Sequence, residues 1–132
     1  MTKEQYIKFH EDFCKEMTEI TRKKNHDYSG GGDDPFRNFR QIENLVGRLP
    51  TRTIGGPMPV EVAIDVTAIG FLTRMSDKFS RIGSFIAKGE LLVKDETVTD
   101  SLCDLANYCA LFAGYLQEKS DEQRKATSKT NV

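Results

Sequence analysis

A chain of 132 residues is long enough for one domain and too short for two separate hydrophobic cores. Its 38% hydrophobic and 30% charged residues exclude disorder throughout and are typical of a globular domain with a charged surface. The net charge of −1 gives no general attraction to nucleic acid or to an anionic membrane. Any recognition of phosphate must therefore come from a local basic cluster.

The three cysteines, Cys14, Cys103 and Cys109, lack the paired spacing of a metal site. They indicate reduced thiols, which are typical of a reducing compartment. No apolar run reaches the roughly 18 residues that span a bilayer, and the first residues lack the charged-then-apolar pattern of a signal peptide. The sequence therefore predicts a cytoplasmic protein without a membrane partner.

The apolar positions predict an all-α fold, a small bundle of about four helices with no sheet. The first helix begins near Thr2, which forms a capping box with Gln5, and its apolar stripe ends before Arg22. The other helices are predicted at about residues 38–46, 60–87 and 96–118, with Gly47 and Gly89 as caps after the second and third. Residues 1–118 are thus predicted to form a single helical domain. Residues 119–132 are polar and predicted to be a disordered tail.

Two polar stripes on the last two predicted helices form the candidate site. Helical spacing places these side chains of the third helix on one face: Arg74, Asp77, Lys78 and Arg81. The same spacing groups these side chains of the fourth helix: Glu96, Asp100, Asp104 and Asn107. If the two helices form an antiparallel hairpin about residue 91, Lys78 lies level with Asp104, and Arg74 lies level with Tyr108.

This polar seam has two interpretations. It is either a run of exposed salt bridges, each contributing about 0 to 1 kcal/mol, or the lining of a pocket. In the pocket, carboxylates would hold Mg²⁺ and cations would bind phosphate. The position of Asp104 between Leu102 and Leu105, close to the apolar stripe, favours the pocket.

The glycine-rich segment 25–37 does not match a phosphate-binding loop of the Gly-x-x-x-x-Gly-Lys-Ser/Thr type. One interpretation is a flexible surface turn. The alternative is a flap that closes over a ligand, carrying Asp27, Tyr28, Phe36, Arg37 and Asn38.

Four blocks of sequence, residues 25–28, 34–39, 74–81 and 100–108, together resemble the phage nucleotide-modification-associated domain. That domain is similar to the MazG-like nucleoside triphosphate pyrophosphohydrolases. The resemblance implies an all-α, often dimeric fold and Mg²⁺-dependent cleavage of a nucleoside triphosphate to monophosphate and pyrophosphate. It also implies the host cytoplasm as the location if the chain comes from a phage. The family holds its metals with Glu-x-x-Glu and Glu-x-x-Asp, which here become Arg74-x-x-Asp77 and Asp104-x-x-Asn107.

The enzyme interpretation has Asp77, Asp100 and Asp104 holding Mg²⁺, with Asp77 and Asp104 catalytic. The predicted substrate-binding residues are Arg74, Lys78, Arg81, Asn107, Tyr28, Arg37 and Asn38. A small nucleotide kinase could use the same parts. A nucleotide sponge or sensor would bind without cleaving, and a structural helical protein would not bind nucleotides.

The partner expected from the sequence is a nucleotide or a nucleotide-like small molecule. A homo-oligomer, either a dimer or a tetramer, is also expected, because residues 60–72 carry more apolar surface than one short helix can cover.

Overall fold

The computed structural model describes residues 1–28, 32–47, 50–89 and 97–130. In this part of the chain the predicted small all-α bundle of four helices is confirmed, with one two-stranded antiparallel sheet added. The elements are α1 (Lys3–Tyr28), α2 (Arg37–Val46), β1 (Thr51–Ile54), β2 (Val60–Ala63), α3 (Val66–Lys88) and α4 (Val98–Thr130). None of the helices in the described ranges is long and apolar enough to cross a membrane.

The helix caps predicted from the sequence are confirmed. The Thr2 amide donates to Gln5 Oε1 at 2.8 Å and the Gln5 amide donates to Thr2 Oγ1 at 3.2 Å, which is the reciprocal capping box. Gly47 and Gly89 follow α2 and α3 with φ of 76° and 75°. Side chains disfavour this left-handed region, so glycine suits both positions.

Three predicted helix boundaries need correction. The first helix continues through its basic residues to Tyr28, and the fourth continues to Thr130 rather than ending at residue 118. Residues 119–130, predicted as a disordered tail, are therefore helical. Their lysine, glutamate, glutamine and arginine residues favour a helix even without an apolar face, and local pairs such as Arg124 to Asp121 at 2.7 Å support it. The third helix begins at Val66, not near residue 60, because Asp65 caps it.

The prediction that the chain contains no strand is wrong. Residues 51–54 and 60–63 form a hairpin in which Arg52 pairs with Val62 and Ile54 pairs with Val60. The alternation Val60-Glu61-Val62 is a period-two strand signal. It was interpreted as the beginning of the third helix because apolar residues continue into α3.

Helices α3 and α4 pack antiparallel, as predicted. The Phe71 ring of α3 stacks on the Phe112 ring of α4, with centroids 5.1 Å apart. Two turns later in α3, Lys78 contacts Asp104, which lies earlier in α4 than Phe112, so the two helices run in opposite directions. The core is aromatic, and Phe36, Phe71 and Tyr115 are buried in it. Phe39 stacks on Phe71 at 3.8 Å between centroids, which fixes α2 against α3.

Candidate functional site

A cluster of two lysines and one aspartate joins three helices. Asp104 of α4 accepts a hydrogen bond from Lys24 of α1 at 3.0 Å and contacts Lys78 of α3 at 2.9 Å, through different carboxylate oxygens. Partial burial raises the pKa of Asp104, but the bonds from Lys78 and Lys24 outweigh this and hold the pKa below the ordinary carboxyl value. One carboxylate faces two ammonium groups in this lysine–aspartate cluster, and the Asp100 carboxylate also interacts electrostatically with Lys24.

A cleft with aromatic walls lies beside this cluster, between α2, α3 and α4. We call it the aromatic cleft, and it is lined by Pro35, Asn38, Phe39, Arg74, Tyr108 and Leu111. Its volume is about 70 Å³. The Phe39 and Tyr108 rings meet edge to face, with centroids 6.3 Å apart. Among the described residues, neither Arg74 nor Asn38 has a hydrogen-bond or ion-pair partner, so a cation and an amide remain available at this cleft.

A second small pocket of about 20 Å³, which we call the connecting pocket, lies between the aromatic cleft and the lysine–aspartate cluster. It shares Tyr108 and Leu111 with the cleft and adds the following residues: Thr21, Lys24, Asn25, Asp104 and Asn107. Thr21 Oγ1 donates to Asn107 Oδ1 at 3.1 Å. The amide nitrogen of Asn107 is buried and has no partner within the described part of the chain. An unpaired donor in such a place favours an acceptor, such as a phosphate oxygen.

The structure brings several predicted substrate-binding residues together around this path. Lys78 and Asp104 lie at the same height along the two helices, as predicted, with the ammonium nitrogen 2.9 Å from a carboxylate oxygen. Arg74 and Tyr108, which the same antiparallel register places level, line the same cleft. Asn107 borders the connecting pocket and Asn38 borders the cleft.

Other predicted site residues lie apart from the path. Asp77 and Arg81 pair with each other at 3.3 Å within one turn of α3. Asp100 caps α4, because it accepts the Thr97 amide at 2.8 Å and its own amide donates to Thr97 Oγ1 at 3.1 Å. Arg37 is exposed at the first position of α2. The side chain of Tyr28 lies outside the described residues.

The described carboxylates do not fit the Mg²⁺ site that the resemblance implies. Within the described ranges no three acidic, histidine or cysteine side chains are grouped to hold a metal. Both oxygens of Asp104 already accept from ammonium groups, and Asp100 is held by Thr97. A divalent cation at Asp104 would meet two like charges, which disfavours it.

Lys24 and Phe39 are the functional candidates that sequence reasoning missed. The signal for Lys24 was present, because it follows Phe13, Met17 and Ile20 at helical spacing on the apolar stripe. Extending that stripe by one turn places the lysine at the helix interface. Phe39 belongs to the short α2, whose contact with α3 no sequence period predicts.

A larger cleft of about 330 Å³ lies between α2, β2 and α4. Its two basic side chains are already neutralised: Arg40 pairs with Asp34 at 3.4 Å and with Glu118, and Lys119 pairs with Asp65 at 2.6 Å. Phosphate would have to displace these carboxylates, so the larger cleft is the poorer anion site despite its volume.

The residues described here define a small α-helical protein with a locally cationic, aromatic cleft. In comparisons with known proteins, no family model, no curated protein and no solved structure matches the chain.

Proposed function

We propose that this protein binds a nucleotide, with the base against the aromatic cleft and the phosphates towards Lys24. The observation that carries this proposal is the pairing of unengaged polar groups with aromatic walls: Arg74 and Asn38 at the cleft, beside Phe39 and Tyr108. Aromatic rings take the flat face or edge of a base, and a guanidinium binds phosphate through paired N–H donors.

The local charge supports the phosphate end of this arrangement. Arg74 lies one helical turn before Lys78, and the lysine–aspartate cluster adds two ammonium groups that face one carboxylate. The whole chain has a net charge of −1, so this charge is local. A cleft of about 70 Å³ encloses only one end of a nucleotide. The connecting pocket, of about 20 Å³, is too small for the rest, which would extend outside it towards Arg74 and Lys24.

Binding without turnover is the function that the geometry supports best. Hydrolysis to monophosphate and pyrophosphate, with Mg²⁺ held by Asp77, Asp100 and Asp104, stays a prediction from the MazG-like resemblance. Each of those carboxylates has another partner in the structure: Arg81, Thr97 and the two lysines respectively. A sponge or sensor needs only the cations and the rings.

The functional unit in this proposal is a homo-oligomer, a dimer or a tetramer. Large apolar side chains are exposed on the outer face of α3, including Leu72 at 61%, Phe79 at 58% and Ile86 at 78%. The strand β2 adds Val60 at 59%. Contiguous apolar surface of this kind is typical of a face that another chain covers.

Isothermal titration calorimetry with the eight common ribo- and deoxyribonucleoside triphosphates, with and without Mg²⁺, tests the binding proposal. The variant Arg74→Gln removes a charge-assisted contact, so affinity should fall about 10- to 150-fold. Lys88→Gln, an exposed cation at the end of the same helix, is the matched control and should bind normally.

Two results would contradict the proposal: no heat with any of the eight nucleotides, or equal affinity in Arg74→Gln and wild type. Pyrophosphate released in the same mixtures would replace the binding proposal with hydrolysis. A requirement for Mg²⁺ in that release would show that the carboxylates rearrange on binding.

A further inference from the structure

The hairpin of β1 and β2 has one apolar face and one polar face. Residues that pair across the strands share a face, and alternate residues point to opposite faces. Ile54 and Val60 therefore lie on the same face as Val62, and this mainly apolar face also carries Arg52, the cross-strand partner of Val62. The other face carries Thr51, Thr53 and Glu61, with Thr51 donating to Glu61. This is the pattern of a sheet that covers a core on one side.

Within the described residues nothing covers the apolar face in this way. All eight strand residues are exposed, and the apolar face leaves Ile54 exposed at 49%, Val60 at 59% and Val62 at 37%. Met58, in the turn between the strands, is 85% exposed. A lone two-stranded hairpin is at best marginally stable in water, so one with an apolar face needs a surface to pack against.

The surface area of the chain indicates how much a partner must cover. The single chain exposes 10234 Å². A compact monomer of 14.9 kDa exposes about 7,000 Å². The excess is about 3,000 Å² per chain, so a partner copy that covered all of it would bury about 6,000 Å² in total, at the upper end of obligate homodimer interfaces.

The charges of the hairpin favour another protein copy over a nucleic acid or a membrane. Arg52 and Glu61 are its only charged residues, and they lie on opposite faces. Binding to DNA, RNA or anionic lipid needs a basic surface, which this element lacks. A mainly apolar, regularly patterned face with a single cation beside Val62 is instead suited to a self-complementary contact across a twofold axis.

We propose that the apolar face of the hairpin, formed by Ile54, Val60 and Val62, packs against a second copy of this chain. The inference rests on the proposed homo-oligomer and specifies its interface. Because the aromatic cleft is lined by other residues, the interface does not depend on nucleotide binding.

Sedimentation velocity over a concentration series of the full chain tests this interface. The double variant Val60→Thr/Val62→Thr keeps the β-branched shape while placing hydroxyls in the apolar face. Each copy contributes both substitutions to a symmetric interface, so the dimer dissociation constant should rise about 100-fold or more. The control Glu61→Thr changes the residue between them, on the opposite face, and should dissociate like wild type.

Hydrogen exchange of the wild type gives a second measurement that needs no variant. Amides of residues 51–54 and 60–63 should be protected at high concentration and should lose protection on dilution below the dissociation constant. Protection that does not change with concentration overturns the proposal.

Other outcomes are equally decisive. If Leu72→Gln/Phe79→Gln dissociates the oligomer while the hairpin variant does not, the interface lies on α3 and the inference is wrong. A wild type that stays monomeric at every concentration overturns both the interface and the assembly. Titration of the hairpin variant with the nucleotide that binds wild type keeps the two proposals separate. Unchanged affinity is expected even where the oligomer is lost.

Discussion

Replacing Lys78 by methionine should destabilise the protein by about 2 kcal/mol. Methionine keeps the unbranched apolar stem and removes the ammonium group. The Lys78 side chain is 11% exposed and that of Asp104 is 21% exposed, so the pair is mostly buried. Breaking a buried pair costs about 3 to 5 kcal/mol, and an exposed pair contributes about 0 to 1 kcal/mol. Lys24 still neutralises Asp104 at 3.0 Å in the variant, which reduces the cost to an intermediate value.

The assay is thermal unfolding followed by circular dichroism. At an unfolding entropy of about 2.1 cal/mol/K per residue, 2 kcal/mol lowers the Tm of a 132-residue chain by about 7 °C. Lys24→Met should cost less, because the Lys24 side chain is 44% exposed and its ion pair is partly screened by water. Lys88→Met, at an exposed lysine of α3, should lower the free energy of unfolding by only the few tenths of a kcal/mol that a cation contributes near a helix C-terminus.

A double-mutant cycle with Asp104→Asn separates the ion pair from other effects of the substitution. The energies of Lys78→Met and Asp104→Asn should be strongly non-additive, because each removes one side of the same contact. The Lys78–Asp104 pair does not stabilise the fold as expected if Lys78→Met melts within a degree of Lys88→Met or if the two energies simply add. The same conclusion follows if Lys24→Met is the more damaging change.

Three further outcomes follow from the packing and the titrating groups. Burial raises the pKa values of Asp65 and Asp104, but hydrogen bonds outweigh this effect and hold both pKa values below the ordinary carboxyl value. The stabilisation that these two carboxylates contribute is therefore complete above the ordinary carboxyl pKa, and it should be lost as the pH falls through the lowered pKa values. A Tm constant from pH 5 to pH 3 would contradict this. Burial, followed by the hydrogen bond to Asp65, raises the pKa of Tyr115 to about 12. The stabilisation from the Tyr115 hydroxyl is therefore complete below pH 10 and is lost as the pH rises through about 12. In urea titrations, Tyr115→Phe should lack this loss of stability at alkaline pH. Phe71→Ala, at a fully buried ring, should cost about 3 to 5 kcal/mol in urea unfolding, whereas Phe79→Ala, at a ring exposed at 58%, should cost under about 1 kcal/mol if the chain is monomeric at the assay concentration.

The features that the sequence predicts well depend on local chemistry or on a long period. The capping box of Thr2 and Gln5 needs only four residues in a row. The register of Lys78 with Asp104 follows from two long apolar stripes and the length of the link between them. The capping box and the Lys78–Asp104 register do not depend on the details of side-chain packing, so they can be derived from the spacing of residues alone.

The errors at the candidate site arose where a local partner competes with a distant one. Asp77 has Arg81 four residues ahead, and Asp100 has Thr97 three residues behind. Each pair was visible in the sequence as an ordinary helix contact or capping box. Grouping the carboxylates by helical face gave too little weight to these local partners.

Other contacts could not be derived from spacing. Asp65 caps α3 by accepting the Ala68 amide at 3.0 Å, and it also accepts from the Tyr115 hydroxyl, 50 residues away, at 2.9 Å. The helix cap involves neighbouring residues, so the sequence predicts it. The hydrogen bond from Tyr115 depends on how α4 packs against the beginning of α3, which the sequence does not predict. The larger cleft at this junction was missed for the same reason.

The contacts between α1 and α4 have a consequence for synthesis on the ribosome. Helix α1 is made before α4, yet its hydrogen bonds from Thr21 and Lys24 reach residues 86 and 80 positions later in the chain. At about 5 to 20 residues per second, α1 waits on the order of 4 to 16 s for these partners. Its 26 residues, supported by local pairs such as Lys8 to Asp12 at 2.7 Å, allow it to form a helix in the meantime. Its apolar stripe stays uncovered during that interval, so the nascent chain should bind a chaperone through α1 until α4 emerges.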